Sequence, residues 1–207
     1  MPYIGLSGVS PAKAFGWGSY QVTGDLGAMI ALQSITTGFN GVTEVVFRNI
    51  PQTYTHLQIR AFCRNSSSYT PYDVDNIDMT FNGDTGNNYS SHRLSGNGTS
   101  PSSGNTLPRG NLQIGVCPFS NSLANSFGSN IIDILDYAST SKTKVARSFW
   151  GFNFNGNSSG AGQDGGVGIM SGVWNNTAAI TQIRLVSGTY NTYAQNTSIA
   201  LYGIKGV

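Results

Sequence analysis

Charge is what this chain has least of. Asp, Glu, Lys and Arg make up 10% of its 207 residues, against about 25% in an average soluble domain. Glu44 is the single glutamate, and His56 and His92 are the only histidines. Eleven basic residues against nine acidic ones leave a net charge of +2, without the basic stripe that nucleic-acid binding needs. A glycosidase needs two carboxylates about 5–10 Å apart. Asp133 and Asp136 read as one strand, where a spacing of three sends them to opposite faces, to partner Lys142, Lys144 or Arg147 instead. Ser90 and Ser91 precede His92 but lack the Gly-x-Ser-x-Gly setting of a nucleophile. Neither a phosphate-binding loop nor a dinucleotide fingerprint occurs. The expectation is a protein with no catalytic residues and no cofactor, not an enzyme.

Cysteine is scarce too. Cys63 and Cys117 stand in no metal-ligand spacing, so no metal site is expected there. Whether the two pair is open at this stage, because geometry decides it. No apolar run approaches the roughly 18 residues of a membrane span, and no secretion signal is expected from the N-terminal residues.

Glycine, by contrast, is abundant, with 27 residues, and Asn, Ser and Thr are frequent, the composition of many short turns. The 42–64 stretch, VTEVVFRNIPQTYTHLQIRAFCR, organises the rest. Val45 and Phe47 alternate with polar or outward positions, as do Leu57, Ile59 and Ala61, a period of two that marks strands. Pro51 cannot donate a ladder hydrogen bond, so the first strand stops near Ile50. Ile77, Met79 and Phe81 form another alternating set ending at Asn82-Gly83, a turn signal. Ser95 to Gly110 reads as a long polar loop. Leu112 to Val116, 130–137 (NIIDILDY, apolar on both faces), 145–154, 168–174, 180–186 and 197–204 read as further strands. Phe149 and Trp150 mark deep core, and the last two strands read as a closing antiparallel pair. The predicted fold is all-β, an antiparallel β-sandwich of jelly-roll type over residues 42–207. Its predicted core includes Val45, Phe47, Leu57, Ile59, Phe81, Ile132, Ile134, Trp150, Trp174, Ile183 and Leu201.

Residues 1–41 differ. They show no sustained period yet carry aromatics that disordered tails usually lack, so they read as an anchoring arm with Tyr3, Ile4, Leu6, Phe15 and Trp17 as its contact residues. Loop tyrosines Tyr69, Tyr72, Tyr190 and Tyr193 are candidates for stacking on a surface glycan or for contacts between subunits. Asp73, Asp75, Asp78 and Asp84 have the oxygen density of a Ca²⁺ loop but not the EF-hand spacing, and a solvated acidic loop is the simpler reading.

The pieces FRNIPQTYTHLQIRAFCR (47–64), FNGDTGNNYSSHRL (81–94), IIDILDYASTSKTKVARS (131–148), SGVWNNTAAITQIRL (171–185) and IALYGIKG (199–206) resemble, in that order, a domain recurring in tailed-bacteriophage structural proteins. The opening MPYIGLSGVSPAKAF is similar to short segments that attach phage appendages to the virion. The resemblance implies a non-enzymatic virion subunit assembled in the bacterial cytoplasm. Its implied partners are other virion proteins and copies of itself (a homotrimer on the resemblance alone), to which the loop tyrosines add a host surface glycan as a candidate. A short tail fibre contributing to host attachment, a capsid decoration or cement protein, and a free carbohydrate-binding module are the readings left open.

Overall fold

The computed structural model describes residues 28–68, 72–156, 164–188 and 192–206. The arm contacts Tyr3, Ile4, Leu6, Phe15 and Trp17, and Tyr69 and Tyr190, lie outside these residues. The described residues hold twelve strands and no helix: β1 (Met29–Thr36), β2 (Glu44–Phe47), β3 (His56–Cys63), β4 (Val74–Phe81), β5 (Tyr89–Gly96), β6 (Pro101–Arg109), β7 (Leu112–Pro118), β8 (Gly128–Leu135), β9 (Lys144–Asn153), β10 (Gly165–Trp174), β11 (Ile183–Ser187) and β12 (Ser198–Ile204).

They build two antiparallel sheets of unequal width. The wide sheet runs β1-β12-β3-β8-β9-β10-β5-β6, and the narrow one β2-β11-β4-β7. The eleven residues from Val45 to Leu201 named for the core are buried between them, joined by Tyr89, Leu112, Phe154 and Leu185 among others. Strict alternation carries this: β9 is buried at Ala146, Ser148, Trp150 and Phe152, and exposed at the residues between them except half-buried Gly151. Burying an aliphatic or aromatic side chain is worth about 1.5–3 kcal/mol.

Polar side chains tie the sheets at chosen points. Asn130 on β8 reaches the free edge of β7, its Nδ2 donating to Val116 O at 3.0 Å and its Oδ1 accepting the Val116 N–H at 2.9 Å. A side-chain amide thus does for β7 what a neighbouring strand would do. Trp174 Nε1 donates to Asp84 Oδ2 at 2.7 Å, and the Tyr89 hydroxyl accepts the Phe81 N–H at 3.0 Å. Lys144 is wholly buried and donates to Ser139 O, Lys142 O and Thr177 O at 2.6–3.0 Å. Desolvation lowers its pKa. Cys63 and Cys117 are both buried free thiols, Cys63 pushed well up, first by its contact with Cys117 and then by burial.

Four expectations need correction. The last two strands, β11 and β12, are not an antiparallel pair, because they split between the two sheets: β11 pairs β2 and β4, and β12 pairs β1 and β3. The expected loop after Ser95 holds strand β6, the outer edge of the wide sheet. Its residues are almost all exposed, so no apolar alternation announces it, and its two prolines are tolerated at an edge. The boundary at residue 41 falls too late, since β1 pairs with β12 and belongs to the sandwich. A register shift between Ala31 and Gln33 breaks its alternation, which is why it read as aperiodic. Asp136 is not on β8 at all but in the turn after it, at φ 48°.

The anchoring-arm expectation for the first residues, combined with the pairing of β1 to β12, predicts that two truncations behave differently. Removal of residues 1–27 should leave the thermal midpoint of the sandwich unchanged. Removal of residues 1–40 strips β1 from β12 and should lower stability by several kcal/mol, roughly the loss of one paired, half-buried strand. Equal melting of the two truncations would show that β1 contributes nothing.

Candidate functional site

The outer face of the wide sheet is where the chain departs from an ordinary sandwich. Ile131 on β8 stands opposite Phe149 on β9, Phe149 opposite Ile169 on β10, and Ile169 opposite Leu94 on β5. Directly opposed side chains lie about 5 Å apart, so the four make one apolar ridge across four strands. All are 41–56% exposed. The next row on the same face is polar: Asp133, Arg147, Ser171 and His92, again in register. Arg147 Nε lies 3.6 Å from Asp133 Oδ2, and Gln58 Nε2 donates to Asp133 Oδ1 at 2.9 Å. Ridge and polar row border a hollow of about 490 Å³. Val145, Val167 and Phe62 extend the exposed apolar surface.

A second hollow lies on the opposite face. Strand β7 crosses β8, β9, β10 and β5, and beyond it the inner side of β5 and β6 opens into a cleft of about 410 Å³. Its floor is Trp150 and Phe152, stacked with centroids 6.1 Å apart. The flat packing of Trp150 depends on Gly168, where an added Cβ would sit 2.4 Å from the indole ring. Tyr72, Asn76, Arg93, Ser95 and Asn97 stand around it.

Of the tyrosines singled out from the sequence, Tyr72 is exposed at this cleft. Tyr193 is not a surface contact: it is fully buried, pinned by backbone bridges to both Val42 and Asn65. Burial pushes its phenol well above the usual range. Phe149 is likewise not core, since only its neighbour Trp150 points inward. Ser91 faces inward, 2.9 Å from Thr106 Oγ1, whereas His92 faces outward, so the two do not form a nucleophile–base pair. Asp136 pairs with Lys142 at 2.6 Å, whose hydrogen bond lowers its pKa.

The aspartates between 73 and 84 disperse. Asp84 accepts from Trp174 Nε1, the Gly86 N–H and Asn88 Nδ2, which together hold its carboxyl below the usual range. Asp78 sits instead with Arg109, 3.6 Å away, and Asn111. Among the described residues no group of three His, Cys, Asp or Glu side chains is arranged to hold a metal ion.

No family model matches the chain, and no curated protein matches it. One similar solved structure is a protein of unknown function from Shewanella oneidensis MR-1, at 10% identity and a TM-score of 0.21, covering 87% of this chain and 77% of that one. A likeness this weak carries no argument.

Asp78 gives a test of how the buried carboxyls act on stability. Burial pushes its pKa up to about 6, and Oδ1 has no hydrogen-bond partner among the described residues. The folded state therefore holds the proton more tightly than the unfolded chain. The stabilisation is complete below about pH 4 and lost as pH rises through about 6, a change on the order of 2–3 kcal/mol. Asp78→Asn should remove that part of the pH dependence and be at least as stable as the parent at pH 7. Urea midpoints of both proteins between pH 4 and 7 check this. A variant that loses more stability at pH 7 than at pH 4 would refute it.

Proposed function

We propose that the chain is a non-enzymatic structural subunit of a tailed bacteriophage virion, a short peripheral appendage that self-associates and contributes to host attachment. The observation that carries the assembly part is the Ile131–Phe149–Ile169–Leu94 ridge. Exposed contiguous apolar surface bordered by polar residues marks an interaction site. The outer face of eight strands spans roughly 1,000 Å², against about 800 Å² per partner in a stable interface. Low charge leaves little repulsion between copies. The virion part rests on the ordered sequence pieces: IPQTY bridges β2 to β3, the Trp174 segment ends β10, and LYGIK lies on β12.

We also read the sandwich as a jelly roll. Support comes from the strand order, in which β1-β12-β3-β8 faces β2-β11-β4-β7 and the pairs β5-β6 and β9-β10 widen the first sheet. The eight strands of those two rows match, in order, the two interleaved four-stranded sheets of capsid and lectin domains, with fold alone leaving the function open.

Light scattering of the purified chain should give a homo-oligomer, a trimer on the phage resemblance, at micromolar concentration. Phe149→Asp should shift it to monomer while changing unfolding free energy by no more than about 1 kcal/mol, since the position is exposed in the subunit. A parent protein that is already monomeric would sink the assembly reading. Electron microscopy of purified particles with a labelled chain should place it on the tail. Label on the head would move it to capsid decoration, and its absence from particles would end the virion reading.

A further inference from the structure

The cleft beneath β5 and β6 has features that packing alone does not require. Arg93 projects from β5 onto the inner face, its guanidinium near Gly104 of β6, and has no ion-pair partner among the described residues. It divides the 410 Å³ cleft from a smaller hollow of about 100 Å³. Trp150 is 5% exposed, yet its indole N–H has no hydrogen-bond partner among the described residues, and an unmet buried donor costs about 1–3 kcal/mol. The Asp75 carboxylate packs against Gly188 and accepts the Asn76 N–H at 2.8 Å. The lining joins two aromatic rings and a rim tyrosine to Asn and Ser amides and hydroxyls.

We propose that this cleft binds an acidic saccharide, with Arg93 taking the carboxylate and the exposed rim tyrosine Tyr72 taking the apolar C–H face of the ring. A sugar ring presents both a ring of hydroxyls and an apolar face, matching amides and hydroxyls beside aromatic side chains. The guanidinium fork matches a carboxylate in two parallel hydrogen bonds, a geometry that an ammonium lacks. The volume lies within the about 300–1,000 Å³ of small-ligand sites. The inference deepens the attachment role above and rests on it for its biological purpose only.

The test titrates the full chain, by saturation-transfer NMR, with galacturonate, glucuronate and N-acetylneuraminate oligosaccharides, their methyl esters, and a neutral maltotriose. The acids should bind, and the esters and maltotriose about tenfold more weakly or not at all. Arg93→Ala should weaken acid binding by about tenfold, with partial recovery in Arg93→Lys. Both positions tested in the cleft, Arg93 and Tyr72, are exposed, so Arg93→Ala and Tyr72→Ala should fold, and Phe149→Asp on the opposite face should bind as the parent does. Failure of every acid to bind, equal binding of acid and ester, or unchanged binding by Arg93→Ala would each overturn the proposal. A chain that binds the acids but is missing from particles overturns the virion reading and leaves the cleft standing. A chain found in particles that binds none of them overturns the cleft alone.

Discussion

A four-stranded sheet cannot cover an eight-stranded one, and most of what is distinctive here follows from that mismatch. The narrow sheet closes the core over β12, β3, β8 and the near parts of β9 and β10, with β7 as the last strand across. Beyond β7 no described strand forms a second layer over the inner face of β5 and β6, and the cleft with Arg93 lies there. Among the described residues the outer face of the wide sheet has no second layer either, and it is apolar along the row from Ile131 to Leu94. A sheet normally buries one face and solvates the other. Strands β8 to β10 carry apolar residues on both, and the proposed self-association rests on that pattern.

The edge of the narrow sheet has its own solution. An edge strand offers unpaired N–H and C=O groups, a hazard in a protein poor in the charges that usually blunt such edges. Val116 on β7 is instead paired by the Asn130 side chain from the facing sheet. Because the amide is fixed in register with one residue of β7, it also sets how the two sheets align. Arg64 acts similarly on the 120–126 turn, donating to Ser120, Ser122, Leu123 and Ser126 carbonyls at 2.6–3.2 Å. The few charges this chain has are thus spent partly on buried carbonyls and not on its exterior.

The core was legible in the sequence because its strands alternate, and alternation survives whichever sheet a strand joins. Sheet membership was not legible: a turn such as Asn49–Thr53 looks the same whether it folds a hairpin or crosses between layers. Edge strands were hidden for a different reason. β6 buries almost nothing and β1 carries a bulge, so neither shows a clean period of two. The two-sided apolar pattern of 130–137 was visible, but it reads equally as a fully buried strand and as an interface strand; only the burial of Ile132 against the exposure of Ile131 separates them. Tyr193 was misplaced because long-range backbone pairing, which no local window contains, draws it inward. Arg93 gave no signal, since a lone arginine in a polar strand is ordinary until its neighbours in space are known.

The central claim is that the two uncovered faces do different work, the outer one joining subunits and the inner one staying open. Carbene footprinting of the assembled protein against the Phe149→Asp variant addresses both at once. The account predicts that Ile131, Ile169 and Leu94 are protected in the assembly and labelled in the variant, while Tyr72 and Arg93 are labelled equally in both. Protection of the cleft residues with the ridge still labelled would contradict it.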